Sequence, residues 1–189
     1  PLATLTGTTR MPARKRKIHR RDFLRGHWRR ANGWLAVIRP PGAAEPERFH
    51  QLCDGCADCA GICPAGAIQM TGPKTALAGH SPKIEANEAP CVMCEGLVCS
   101  TVCLVGALIK ETPDRMCIGE ITFRAEDCLA HKGFDPDCSY CFDRCPLRGK
   151  AITFQRGHGP ELEPGDCTGC GICVFYCPAQ PKALSPAPL

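Results

Sequence analysis

Apolar residues occur along this chain in short runs, cut by glycine or proline before any run reaches the length of an ordinary helix. Ala67-Ile-Gln-Met70 and Lys83-Ile-Glu-Ala86 read as two strands of a hairpin separated by a Gly- and Pro-containing stretch. Gly106-Ala-Leu-Ile109 begins in the same way, and Ile118–Arg124 is a further strand candidate. Ala151–Gln155, a turn at Arg156–Pro160, and Glu161–Glu163 predict a second hairpin. No run approaches the roughly 18 apolar residues needed to cross a bilayer, so no transmembrane segment is expected. The pattern predicts an α+β fold of short helices, short β-hairpins and much loop.

Cysteine changes this picture. The 189 residues include 17 cysteines and only 6% aromatic residues, so thiols must do more than ordinary packing. Sixteen of them fall into four groups. Cys167-Thr-Gly-Cys170-Gly-Ile-Cys173-Val-Phe-Tyr-Cys177-Pro178 is the CxxCxxCxxxCP run of bacterial ferredoxins, and Cys53, Cys56, Cys59 and Cys63-Pro64 repeat its spacing. The first three thiols of such a run wrap a tight loop around three corners of an iron–sulfur cube, and the fourth points toward a second cube. Cys91, Cys94, Cys99 and Cys103 carry two extra residues before the third cysteine, with Leu104 in place of proline. Cys128 stands apart by a nine-residue loop from Cys138, Cys141 and Cys145-Pro146. The recurrence of group, strand, turn and strand is an internal repeat, and it predicts four [4Fe–4S] clusters.

Two other uses of the thiols compete. A disulfide scaffold suits the cysteine density, but the tight internal spacings and the lack of a cleavable signal peptide speak against it. Zinc suits paired CxxC knuckles, yet the third cysteine and the CxxxCP tail are surplus to two dyads. Cys117, outside every group, reads as a small buried residue at a strand edge. The six histidines form no CxxCH and pair with no cysteine group, so each reads as surface or satisfied histidine. Tyr140, Phe142, Phe175 and Tyr176 lie inside the cysteine motifs, where packing against a cluster is the ordinary role. No phosphate loop, GxGxxG or nucleophile elbow is present, and no enzyme activity is expected.

Charge divides the chain into an arm and a body. Residues 10–39 hold eleven Lys or Arg against Asp22, +10 in all, while the whole chain is +4 and the remainder therefore acidic at −6. Residues 1–10 have no periodicity and are assigned no role. Within the arm, Arg14, Lys15, Arg16, Lys17, Arg20, Arg21, Arg25, Arg29 and Arg30 are candidates for docking on an acidic surface, an anionic headgroup layer or a partner. Nucleic acid is not expected as a partner, because no basic stripe lies outside the arm. His19-Arg20-Arg21-Asp22-Phe23-Leu24 is similar to a twin-arginine export motif, but only Trp34–Ile38 follows as an apolar stretch. The expected location is therefore cytoplasmic, with periplasmic export or membrane association as alternatives. Arg39-Pro-Pro-Gly-Ala-Ala-Glu-Pro-Glu47 reads as an extended linker, so residues 1–47 are expected to form a partly disordered arm and linker, 48–184 the body and 185–189 a tail.

The four spacings together resemble the ferredoxin-type NapF, NapG and MauM family, accessory to periplasmic nitrate reductase and methylamine systems. The resemblance covers about Arg20 to Leu184 and rests on Arg20-Arg-Asp-Phe-Leu24, Ile38-Arg-Pro-Pro-Gly42, Pro90-Cys-Val-Met-Cys-Glu95, Asp127-Cys-Leu129 ahead of Cys138-x-x-Cys141, and Cys167-Thr-Gly-Cys-Gly171. The body resembles the exported NapG and MauM branch and the arm the cytoplasmic NapF. The wider class of four-cluster electron-transfer subunits implies two stacked ferredoxin-like modules with a pseudo-twofold axis. It implies an outer module of 48–70 plus 150–184 and an inner module of 83–149. On that pattern Cys53, Cys56 and Cys59 share a cluster with Cys177, and Cys167, Cys170 and Cys173 share one with Cys63. The inner sites are then Cys91, Cys94 and Cys99 with Cys145, and Cys128, Cys138 and Cys141 with Cys103.

The expected function is single-electron relay through four clusters to or from a redox protein partner, such as a molybdoenzyme or a membrane quinol-oxidising complex of a nitrate reductase-type system. A maturation or assembly factor for a molybdoenzyme is the alternative, and a piece of a larger redox complex is a third reading.

Overall fold

Among the described residues the longest helix has seven residues and the longest strand four, because ligand-type loops and prolines interrupt the apolar runs. The computed structural model describes residues 37–72 and 80–189; the basic arm and its candidate docking residues lie outside the described residues. In chain order the helices are α1 (Pro46–Leu52), α2 (Asp58–Ile62), α3 (Val98–Thr101), α4 (Tyr140–Asp143) and α5 (Ile172–Phe175). The strands are β1 (Ile68–Met70), β2 (Pro82–Ile84), β3 (Glu120–Phe123), β4 (Ile152–Gln155), β5 (Gly159–Leu162) and β6 (Leu184–Ala187). The fold is α+β, with three two-stranded antiparallel sheets among the described residues. No described helix is long and apolar enough to cross a membrane.

The two expected hairpins are present. β1 pairs β2 with Ile68 opposite Ile84, and β4 pairs β5 with Ile152 opposite Leu162. Each places an apolar residue on the side facing a cysteine loop: Ile68, Ile84 and Ile152 are all buried. Gly106–Ile109 contributes only the isolated bridge Ala43–Leu108.

Two segments depart from the sequence-based expectation. Arg39–Glu47 is not a free linker. Ile38 O accepts from Ile84 N–H at 2.8 Å, Gly42 O from Ile109 N–H at 2.7 Å, and the Ala44 N–H donates to Ala107 O at 3.0 Å. Pro40 and Pro41 are fully buried, because a residue without an N–H donor can be enclosed at no hydrogen-bond cost. Pro46 then starts α1 at the position where a missing donor is harmless, and Phe49 fills the core beneath it at 1% exposure. Residues 185–189, expected as a tail, are likewise partly held. β6 pairs with β3, Phe123 opposite Leu184, and Lys182 Nζ donates to Val174 O and Phe175 O at 2.7 and 2.9 Å, where a cation is favoured at the end of α5.

The core is divided. One cluster gathers Ile38, Phe49, Ile68, Ile84, Leu97 and Leu108 around the first two cysteine groups, and a second gathers Ile152, Val174 and Leu184 around the last two. Cysteines belong to the core on both sides: Cys59, Cys91, Cys99, Cys128, Cys141, Cys170 and Cys173 are all buried.

Gly42 offers a direct test of the reassigned linker. Its φ is +78°, and a Cβ there would collide with the Ile109 carbonyl. Gly133 has a similar φ of +75° with open space around it. Gly133→Ala is expected to cost about 1 kcal/mol of left-handed strain, and Gly42→Ala at least about 2 kcal/mol, from strain plus displacement of the strap. Denaturant midpoints of the two variants check this; equal shifts would return 39–47 to a loose linker.

Candidate metal centre

Three of the four loops carrying the cysteines share one backbone device. In the first group the residues two and four places after Cys53, Gly55 and Ala57, both have positive φ, at 74° and 72°. In the fourth group Gly169 and Gly171 do the same after Cys167, at 70° and 82°. The second group does it with non-glycine residues, Met93 at 51° and, beyond the two-residue insert, Leu97 at 41°. This turns N–H groups inward onto sulfur: Gly55 on Cys53, Met93 on Cys91 and Gly169 on Cys167. Tyr140 on Cys138 and Leu147 on Cys145 follow the same two-residue offset. The Leu108 N–H donates to Cys103 Sγ at 3.3 Å. Such donors stabilise negative charge on sulfur and tune a bound metal. Gly169 is required for a second reason, since a Cβ there would strike the Gly119 backbone.

All sixteen thiols are gathered into four cavities, four to each. Cys53, Cys56, Cys59 and Cys103 line one of about 330 Å³. Cys63, Cys91, Cys94 and Cys99 line another of about 330 Å³. Cys145, Cys167, Cys170 and Cys173 line one of about 360 Å³, and Cys128, Cys138, Cys141 and Cys177 one of about 310 Å³. Every cavity thus takes three thiols from one loop and one from another group.

The partner groups differ from those the resemblance implies. Cys177 faces Cys128, Cys138 and Cys141, not the first group, and Cys63 faces Cys91, Cys94 and Cys99. Cys103 completes the first trio and Cys145 the last. Groups one and two exchange their fourth thiols, as do groups three and four. The cause is local. The β1–β2 hairpin returns the chain so that α2 packs on α3, and the β4–β5 hairpin does the same for α4 and α5. Closing Cys63 onto Cys91 rather than Cys167 also saves nearly two doublings of loop length, about 1 kcal/mol. Regular spacing in the outermost groups therefore said nothing about which groups meet.

The cavities stand next to one another in sequence. The Cys59 charge is felt at Cys99, that of Cys170 at Cys91, and that of Cys141 at Cys173. The central junction is hydrogen-bonded, the Cys91 N–H donating to Cys170 O at 3.0 Å and the Ile118 N–H to Thr168 O at 2.9 Å.

Electrostatics defines what the quartets can hold. Burial, opposed by the Met93 N–H and reinforced by neighbouring thiolates, pushes the Cys91 thiol up to about 11. Burial and the Cys56 charge push Cys59 to about 11, and burial and the Cys91 charge push Cys99 to about 12. Burial, partly offset by the Phe142 N–H, raises Cys141 to about 12, and burial with the Cys170 charge raises Cys173 further. Four thiolates in one such cavity require a cationic centre among them. Among the described residues no group of three or more His, Cys, Asp or Glu is arranged to hold a single metal ion. An all-sulfur donor set spread around a cavity, with N–H donors on the sulfurs, fits an iron–sulfur cluster by its chemistry.

Several residues behave differently from expectation. Cys117 is exposed, its Sγ 3.9 Å from Gly119 O and Cys167 O, on the wall of a wider opening shared with Arg39 and Arg115. Of the motif aromatics only Tyr140 lines a cysteine cavity; Phe142 packs on Phe154, and Phe175 and Tyr176 stack edge-to-face at 5.1 Å beneath Lys182 and Arg144. His80 is not fully satisfied: its ring lies against Gly55, and Nε2 is buried with no hydrogen-bond partner among the described residues. No spacing in the sequence connects His80 to the first cysteine loop.

Four cysteine quartets on a loop-rich α+β scaffold define a ferredoxin-type protein. No family model matches the chain. It is 30% identical to the ferredoxin-type protein NapG of Escherichia coli, over 90% of this chain and 86% of that protein. It is 32% identical to the methylamine utilization ferredoxin-type protein MauM of Paracoccus denitrificans, over 75% of this chain and 66% of that protein. The ferredoxin-type protein NapF of Escherichia coli is 28% identical over 85% of this chain and 90% of its own length. The chain belongs to the ferredoxin-type NapG and MauM family. Its general role is that of an iron–sulfur electron carrier, and it is not an enzyme.

The exchange of fourth thiols is testable by combining substitutions. Cys177→Ala is expected to lose the iron of one cube, about 4 per chain. Cys177→Ala with Cys138→Ala should lose no more, because both thiols serve one cavity, whereas Cys177→Ala with Cys53→Ala should lose about 8. Iron analysis of the three proteins decides, and the reverse order would restore the outer-with-outer pairing.

Proposed function

We propose that the protein relays single electrons through four [4Fe–4S] clusters, one in each cysteine quartet, between redox partners. The observation that carries this reading is the gathering of sixteen thiols into four cavities, four to each, every one completed by a thiol from a neighbouring group. The clusters supply the redox chemistry; the chain supplies their spacing, burial and hydrogen bonds. The two halves, each with two exchanged groups and a hairpin, are read as two ferredoxin-like modules. The chain of neighbours Cys59 to Cys99, Cys91 to Cys170 and Cys173 to Cys141 supports an unbranched row. Its ends are the Cys53 quartet and the Cys128 quartet, and the Cys91–Cys170 hydrogen bond joins the middle pair.

The partner in this reading is a redox protein of a respiratory, nitrate reductase-type system, either a molybdoenzyme or a membrane quinol-oxidising complex. A cytoplasmic location is part of the proposal, drawn from the short Trp34–Ile38 stretch after the arginines.

Purified protein is expected to be brown, with about 16 iron and 16 acid-labile sulfide per chain. Stoichiometric zinc without labile sulfide would end the reading. Residues 1–45 fused to an export reporter are expected to leave it in the cytoplasm, and efficient transport would overturn that location alone.

A further inference from the structure

The ends of the proposed row are chemically unlike. Cys56 is the one exposed thiol among the sixteen in the quartets. Its cavity is also the only one of the four whose lining includes charged side chains, and both, Asp54 and Asp58, are acidic. Both carboxylates act on Cys56, and Asp54 Oδ1 accepts from the Cys56 N–H at 3.1 Å, which holds the carboxylate beside the thiol. The fourth thiol of this cavity, Cys103, is followed by Leu104, whereas Cys63, Cys145 and Cys177 are followed by proline. Leu104 is 96% exposed, and Val105 beside it is 38% exposed. Arg39, the described cation that acts on Cys53, is turned inward: it donates to Ser81 Oγ and Pro82 O and lies 4.8 Å over the Phe49 ring. Exposure of the aliphatic side chain and of the ligand loop does nothing to help hold a cluster. Together, beside two carboxylates with no ion pair among the described residues, they have the anatomy of a docking surface with an apolar contact and a charged rim.

We propose that the Cys56 and Leu104 face is the port through which electrons pass to or from a protein partner presenting a basic surface around its own redox centre. The proposal rests on the relay reading. Asp54 and Asp58 attract and orient the basic partner, and Leu104 and Val105 supply the apolar contact that brings it onto the Cys56 loop. The transfer is a simple exchange: one electron leaves a reduced cluster and one ferric haem, or an equivalent one-electron acceptor, is reduced, with no bond made or broken.

Cytochrome c, a basic haem protein, is a suitable probe. The full chain, reduced with dithionite, is mixed with ferric cytochrome c in a stopped-flow instrument, and rates are normalised to cluster absorbance. Asp54→Asn with Asp58→Asn, which keeps side-chain acceptors, should slow haem reduction about tenfold at low ionic strength and flatten its salt dependence. Glu120→Gln with Glu161→Gln, the same change in net charge at exposed sites elsewhere, should change the rate less than about twofold. Calorimetry with oxidised cytochrome c provides a readout independent of electron transfer: affinity should fall for the Asp54 and Asp58 variant and for Leu104→Ser. Equal effects of the two charge variants on rate, or affinity indifferent to Asp54, Asp58 and Leu104, would overturn the port. A protein lacking cluster absorbance would instead overturn the relay itself.

Discussion

Four thiols facing one cavity form an electrostatic arrangement before they form a fold. Each thiolate brought out of water loses solvation, and each neighbour of the same sign raises the cost again, as the elevated Cys59, Cys99 and Cys141 show. The arrangement is favourable only with compensating positive charge at the centre and N–H donors at the sulfurs. The chain supplies the donors through left-handed residues two places after a cysteine, at Gly55, Met93 and Gly169. These loops cannot also be long helices or strands, so the described elements stay at seven residues or fewer and none would be stable alone.

The same constraint explains the thin conventional core. Phe49, Leu97, Ile152, Val174 and Leu184 are its largest fully buried side chains, apart from the prolines, and they are shared between two halves. Seven buried cysteines stand where leucines and valines would otherwise be. In the proposed relay the clusters therefore belong to the core as much as the side chains do, and folding is coupled to their acquisition. The strained non-glycine residues Ala57, Met93 and Leu97 fit this view: a conformation disfavoured in the free chain is tolerated where ligand geometry demands it.

What was legible in the sequence was whatever depends on spacing along the chain. Cysteine grouping, the β1–β2 and β4–β5 hairpins and the α+β class follow from residues near one another in the chain, Ile68 and Ile84 or Cys128 and Cys145 at the widest. What depends on distant contacts was not legible. Arg39–Glu47 has linker composition, yet Pro40 and Pro41 are buried because they bring no donor that needs a partner. The tail has frayed-end composition, yet β6 is held by β3 and by Lys182 on the end of α5. Cys117, expected in the interior, is exposed, and no periodicity surrounds it to tell its side. The pairing of the quartets was the largest departure: it is set by which helices the hairpins bring together, which likeness between the outermost motifs does not encode.

Sequential pairing changes how the body is assembled. With outer groups paired, neither outer cavity would be complete until the two ends of the body met. With neighbours paired, residues from Cys53 to Cys103 complete two cavities and residues from Cys128 to Cys177 complete the other two. Each half then closes through contacts of modest sequence separation, the arrangement that keeps loop-closure cost and folding time down. What joins the halves includes backbone hydrogen bonds, Cys91 N–H to Cys170 O and Ile118 N–H to Thr168 O, the Thr168 hydroxyl on Met93 Sδ at 3.6 Å, and Cys170 and Ile172 packed on the first core cluster, with Gly169 bare so that its loop can lie on Gly119. Because those hydrogen bonds come from the ligand loops themselves, any shift of one half against the other must move Cys91 or Cys170. The joint that holds the halves together is thus also the place where the spacing of the two middle quartets is set.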